Sequence, residues 1–227
     1  MQQHKDGPTV ALLAFPGSNC DQDAQKAFAH VFGWQLEVVH ASASAFARRP
    51  DAVFIPGGFS YGDYLRAGHL ASIAPIIPAL KAFIAEGGAV MGVCNGFQIL
   101  TEMGALPGAL LPNARQRFVC DQVECLHEPG PSSCHGRERG QTLRLPIAHG
   151  EGRYYIDEDG LAQLEAKQQI FLRYADNPNG STAAIAGICS ENGKVFGLMP
   201  HPERAYLEHI GGTDGQCLLR AFAATFV

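Results

Sequence analysis

The 227-residue chain has no run of lysine or arginine, and its formal net charge is −5. It therefore lacks the electrostatic footprint expected for binding nucleic acid or an anionic membrane. Charged residues make up 17% of the sequence, below the usual level of about 25%, which fits a surface partly covered by a partner. The apolar run near the start, Thr9–Phe15, is too short to span a bilayer, and the polar head MQQHKDGP lacks the apolar core of a signal peptide. A cytoplasmic protein is expected. The G-x-x-x-x-G-K-[ST] phosphate loop is absent, which argues against a Walker-type nucleotide site. The seven cysteines are odd in number and scattered, so a disulfide framework is not expected and a reducing compartment is. Cys120, Cys125, Cys134 and His135 lack short knuckle spacing, so no metal is expected and the thiols read as unligated.

What is present reads as an α/β protein with a doubly wound, flavodoxin-like open sheet, mostly parallel, with helices on both faces. Thr9–Phe15, Trp34–His40, Ala52–Ile55 and Ala89–Val93 read as strands, the first and third ending in Pro-Gly. The more apolar of these runs suit strands buried on both faces. A helix capped by Asn19 or Asp21 should run to about Phe32, with Ala24, Ala27, Phe28 and Val31 on one face. Further helices are expected over Ala74–Ala85, Asn95–Met103 and Gly212–Phe226. Phe118–Leu126, Thr142–Ile147, Gln169–Tyr174, Ala183–Cys189 and Lys194–Leu198 read as mainly antiparallel additions. The whole divides into a flexible head, 1–8, and one domain, 9–227.

The chemistry centres on Gly92-x-Cys94-x-Gly96, where a buried strand runs straight into a helix. This is the pattern of a nucleophile elbow with cysteine in the serine position. The glycines are needed where a β-carbon would strike the neighbouring strand or helix. A cysteine at a helix N-terminus is expected to have a lowered pKa, and the adjacent N–H groups can hold an oxyanion. His201 is the best base. It stands between two prolines at a strand end, with Glu203 two residues on to orient it. His149, with Glu151 also two residues on, is the rival; its glycine-rich loop places it, with Glu151 and Arg153, behind the catalytic residues or facing a partner. Gly57 and Gly58 follow a strand end, where their N–H groups can point at an oxyanion. Tyr61, Asp63, Tyr64 and Arg66 follow in the same polar loop and are expected behind the catalytic residues or facing a partner.

In order, strand–PGG, GxCxGxQ and HPE resemble the class I, triad-type glutamine amidotransferases. The strings FPGSNCDQD (15–23), PGGFSYGDYLRAG (56–68), GVCNGFQILTEMGALPGAL (92–110), PIAHGEGRYY (146–155), NPNGS (177–181) and GLMPHPER (197–204) narrow the resemblance to the glutaminase components that serve de novo purine synthesis. It implies Cys94 as nucleophile, His201 as base and Glu203 as orienter. It implies Gly57, Gly58 and Asn95 at the oxyanion and Gln98 near bound L-glutamine. It also implies no cofactor in this chain, with ATP and Mg on a larger synthetase subunit, and a small third subunit in the complex. The cysteine-containing loop at 120–140 matches no motif of the family. Two other readings use the same residues: a cysteine peptidase or hydratase on the same scaffold, which would act alone, and a binding module with an inert cysteine.

Overall fold

A computed structural model describes residues 7–130 and 140–227. Cys134, His135 and most of the expected 1–8 head lie outside these residues. The first strand, β1 (Val10–Ala14), is followed by α1 (Asp21–Phe32), β2 (Leu36–His40) and β3 (Ala52–Ile55). In α1 the spacing of Ala24, Ala27 and Phe28 buries one face. Gly33, at φ 75°, closes the helix: its N–H donates to the Ala29 carbonyl and that of Trp34 to Phe28, the paired bonds of a left-handed C-cap. Neither expected residue caps the start. Cys20 takes that position without a side-chain bond, and Asp21 is already helical.

The chain continues through α2 (Ile77–Ala85), β4 (Ala89–Val93) and α3 (Asn95–Glu102), then β5 (Ala109–Leu111), β6 (Val119–His127), β7 (Thr142–His149), β8 (Arg153–Tyr155), α4 (Glu158–Ala166), β9 (Ile170–Tyr174), β10 (Ile185–Cys189), β11 (Val195–Leu198) and α5 (Gly215–Ala223). Helix α2 begins three residues later than expected. Pro78 fits its first turn, where the missing N–H costs nothing, and a separate short turn occupies Ala71–Ile73. Nine strands form one sheet in the order β2-β1-β3-β4-β11-β10-β9-β6-β7. The first five are parallel and the last four antiparallel to their neighbours. The helix α4 and the β5–β8 ribbon were not foreseen.

Four of the five parallel strands are almost entirely buried, β2 at the sheet edge being the exception: β3, β4 and β11 have no exposed residue. Strands covered on both faces must be apolar throughout, and these are. Phe28 lies fully buried against Phe54, ring edge to ring face; cutting it to alanine would cost about 3–5 kcal/mol. Strand β4 sits between β3 and β11, so the carboxyl ends of three adjacent strands open at one edge of the sheet. Open α/β sheets place their sites there. Among the described residues no helix is long and apolar enough to cross a membrane.

Candidate active site

Cys94 stands between β4 and α3 with φ 52° and ψ −105°. That conformation is sterically poor for a residue with a side chain and persists only where its surroundings enforce it. Its glycine neighbours show how. A β-carbon on Gly96 would lie 2.1 Å from the Ile55 carbonyl oxygen, and one on Gly92 would lie 2.6 Å from the backbone of Gly96. Glycine at both places lets α3 press onto β3 and β4 and so forces the turn. Cys94 is 5% exposed, and its sulfur lies 3.8 Å from the Ala148 carbonyl oxygen on β7.

His201 arrives from β11. Its N–H donates to the Pro146 carbonyl of β7 at 2.8 Å. Its Nδ1 lies 2.6 Å from Glu203 Oε1, and both side chains are buried. Burial opposes a charge on the imidazole; the Glu203 carboxylate, with the sulfurs of Cys20 and Cys94, outweighs it and holds the pKa well above the ordinary value. With Nδ1 engaged, Nε2 is buried and has no hydrogen bond, while the Cys94 sulfur is close enough to act on the ring's charge. Such pairs commonly tighten when substrate enters. Cys94, His201, Gly58, Phe59, Asn19, Cys20, Phe118, Ala148 and Arg204 line one pocket of about 160 Å³. Phe59 and Phe118, half exposed and stacked with centroids 6.3 Å apart, stand at its edge.

The loop after β3 wraps Cys94 and His201. A β-carbon on Gly57 would lie 2.7 Å from His201 Cε1 and 3.4 Å from Cys94 Cβ. Gly58, at φ 152°, touches the backbone of Ser18 and Asn19. Beyond it, Tyr61, Asp63 and Leu65 all have positive φ. Asp63 is pushed up to about 6 by burial and by the nearby Glu151 carboxylate. Tyr64 is largely exposed. Arg66 pairs with Glu102 at 2.7 Å, and Glu102 also meets His69 at 3.1 Å, an acidic partner for His69 that sequence spacing did not disclose.

Asn95 and Gln98 do not present free amides to the pocket. Asn95 Nδ2 donates to Gln98 Oε1 at 2.8 Å, and Asn95 Oδ1 accepts from the Ser60 N–H at 3.3 Å. Gln98 Nε2 donates to the Glu151 carbonyl at 2.6 Å. The two side chains tie α3 to the loops on either side of the site. Glu151 Oε2 also accepts from the Ala67 N–H. His149 is buried, held by Asn113 at 3.1 Å, and Arg153 lies on β8 with its Nε buried.

Cys20 escaped the sequence reading. It is buried, lines the same pocket as Cys94, and lies 4.0 Å from His201 Nδ1. Arg204 donates to its sulfur at 3.2 Å and to Asp23 at 2.9 Å. Burial raises its pKa, so it stays a neutral thiol. The signal was its place: Cys20 follows Pro16-Gly17 at the end of β1, just as Gly57 follows Pro56 at the end of β3. Donor atoms of Cys20, His201 and Glu203 lie within 4.8 Å of one another, a set with the chemistry to hold a metal. The His201–Glu203 bond and the Arg204 guanidinium already occupy it. Cys20, Cys94, Cys120 and Cys125 carry free thiols. Cys217 is disulfide-bonded: the absence of a disulfide framework in a sequence does not preclude one bridge in space.

Residues 7–210 match the CobB/CobQ-like glutamine amidotransferase domain. A relative from Prochlorococcus marinus, phosphoribosylformylglycinamidine synthase subunit PurQ, is 50% identical over 218 residues, covering 95% of this chain and 98% of its own. Its namesake from Thermus thermophilus is 52% identical over 213 residues, covering 90% and 93%. A chain in the structure of PurLQS from Thermotoga maritima superposes with a TM-score of 0.84 at 40% identity, covering 96% of this chain and 98% of that one. The strained cysteine, its buried His–Glu pair and these likenesses agree: the chain belongs to the CobB/CobQ-like glutamine amidotransferase family.

Proposed function

We propose that Cys94, His201 and Glu203 hydrolyse glutamine, and that residues 9–227 act as one domain for that purpose. The chain is the glutamine amidotransferase subunit of a phosphoribosylformylglycinamidine synthase, as its relatives' names support. The observation that carries the reading is the strained elbow cysteine sharing one pocket with a histidine whose Nδ1 is held by a buried glutamate.

The Cys94 sulfur attacks the γ-amide carbon of glutamine, and the C–O π pair moves to oxygen. Backbone N–H groups at the start of α3, which have no intrahelical acceptor, and those of Gly57 and Gly58 hold the oxyanion. The raised His201 carries the thiol proton and delivers it to the amide nitrogen as the C–N bond breaks, giving ammonia and a γ-glutamyl thioester. His201 then takes a proton from water, which attacks the thioester. Glutamate leaves and the thiol is restored. Glu203 fixes the tautomer and supports the imidazolium throughout.

Ammonia serves as a nucleophile only while unprotonated, so it must reach a partner without entering bulk water. By analogy with the PurLQS assembly, this chain docks on a larger synthetase subunit that holds ATP and Mg and converts formylglycinamide ribonucleotide to formylglycinamidine ribonucleotide, with a small third subunit, in the cytoplasm. The exposed Tyr64 and Leu65 suit a partner surface. The test is Cys94→Ala in the reconstituted complex. Glutamine-dependent synthesis should vanish while ammonia-dependent synthesis persists; residual use of glutamine would refute the assignment.

A further inference from the structure

His149 is a buried, titratable side chain for which the triad has no use. Its Nε2 is buried and has no hydrogen-bond partner. The state of that nitrogen follows from Asn113. The Asn113 amide nitrogen donates to the carbonyls of Arg117 and His149, at 2.8 and 2.9 Å. Its oxygen accepts from the Gly152 N–H at 3.0 Å, so the amide cannot be turned round without setting oxygen against oxygen. The same oxygen lies 3.1 Å from His149 Nδ1, which must carry the proton. Nε2 is therefore a bare acceptor, and a buried acceptor left unmatched is costly.

Its setting identifies what would match it. The preceding residue, Ala148, lines the catalytic pocket and offers its carbonyl to the Cys94 sulfur. His149 does not line that pocket, yet a charge on it would be felt by His201. The loop that follows is held firmly, by Gln98 to the Glu151 carbonyl and by Asn179 to the Gly152 carbonyl. Gly152 abuts the imidazole so closely that a β-carbon there would lie 2.3 Å from the ring. The result is a firmly held acceptor on the residue next in the chain to Ala148, which lines the pocket in which the amide nitrogen is released.

Building on the glutaminase reading, we propose that His149 Nε2 receives ammonia on its way out, accepting one of its N–H bonds. Only a hydrogen bond forms; no covalent bond is made or broken. Burial and the neighbouring His201 depress the His149 pKa to about 4, so at neutral pH the ring is uncharged and Nε2 carries no proton. It can hold ammonia without converting it to ammonium.

The test uses the assembled complex and measures glutamate and amide product in the same reaction. In the wild type they should form in equal amounts. His149→Phe should leave glutamate formation within about threefold and lower amide formation about fivefold or more, with external ammonia restoring it. His149→Gln, which keeps an acceptor, should recover much of the coupling. Equal yields in the phenylalanine variant would overturn the proposal. So would accumulation of the thioester, because the acceptor would then serve the hydrolytic water. Should the phenylalanine variant fail to fold, ¹⁵N-histidine NMR of the wild-type chain decides. The unprotonated His149 Nε2 resonance should move with ammonium chloride at alkaline pH and not with sodium chloride; a resonance that stays still refutes the idea. Failure of the glutaminase reading itself looks different: the wild-type complex would then make no amide from glutamine at all.

Discussion

Replacing Gly57 with alanine adds one methyl group at the point where three parts of the site converge. The new carbon would stand 2.7 Å from His201 Cε1, 3.0 Å from Cys20 Sγ and 3.4 Å from Cys94 Cβ. Carbon atoms pack at about 3.5–4.0 Å, so the imidazole must retreat by about 0.8–1.3 Å. It has little room to do so, being buried, 2.6 Å from Glu203 and anchored through its own N–H to Pro146. The backbone at Gly57 is not in the left-handed region, so alanine adds no backbone strain and the damage is confined to the site. A displacement of about 1 Å in a reacting group can cost about 100-fold in rate, equivalent to about 2.7 kcal/mol of barrier. Glutamate production by the complex should fall by that order. Ammonia-dependent synthesis should stay intact. Gly150→Ala serves as the steric control, since its added carbon meets nothing nearer than Phe118 at 3.7 Å. A folded Gly57→Ala protein that hydrolyses glutamine within about threefold of wild type would refute the reasoning.

Two further predictions concern pH. The His201 pKa is raised in the folded protein, so the stability drawn from its charge is fully present below the unfolded value of about 6.5 and is lost as pH rises through the folded value. Glu203→Gln should therefore destabilise the protein more at about pH 6 than at high pH; thermal unfolding across that range checks it, and a constant difference would contradict the pairing. Asp63 behaves oppositely to a salt-bridged carboxylate. Its pKa is raised to about 6, so it contributes stability when protonated and loses it as pH climbs from about 4 to about 6. Asp63→Asn should gain in unfolding temperature relative to wild type over that climb, and an unchanging offset would count against the burial and Glu151 argument.

Much of the site could be read in the chain because its parts are local. Gly92-x-Cys94-x-Gly96 directly after an apolar strand allows little but a sharp strand–turn–helix, and the two glycines are required by contacts with Ile55 and α3. Pro200 and Pro202 confine His201 so that Glu203, two residues on, can reach it. Helix α4 was not legible: it has Gly160 in its first turn and Leu164 as its one fully buried residue, so it carries little amphipathic signal. Its Asp157 cap, which accepts from the Gly160 N–H, was the available clue. Strands β5 and β8, of three residues each, are too short to show a period.

The sequence by itself determined the alternation of buried strands and helices, the strained cysteine and the His–Glu dyad, because each is set by residues within a few positions of one another. Only the tertiary structure decided that β11 enters parallel beside β4, which carries His201 to Cys94 across more than a hundred residues of chain. It also decided that Cys20 lies under His201 and that Asn113 fixes the proton on His149. Those contacts join segments with no sequence relation, and their positions follow from how the sheet is ordered and packed.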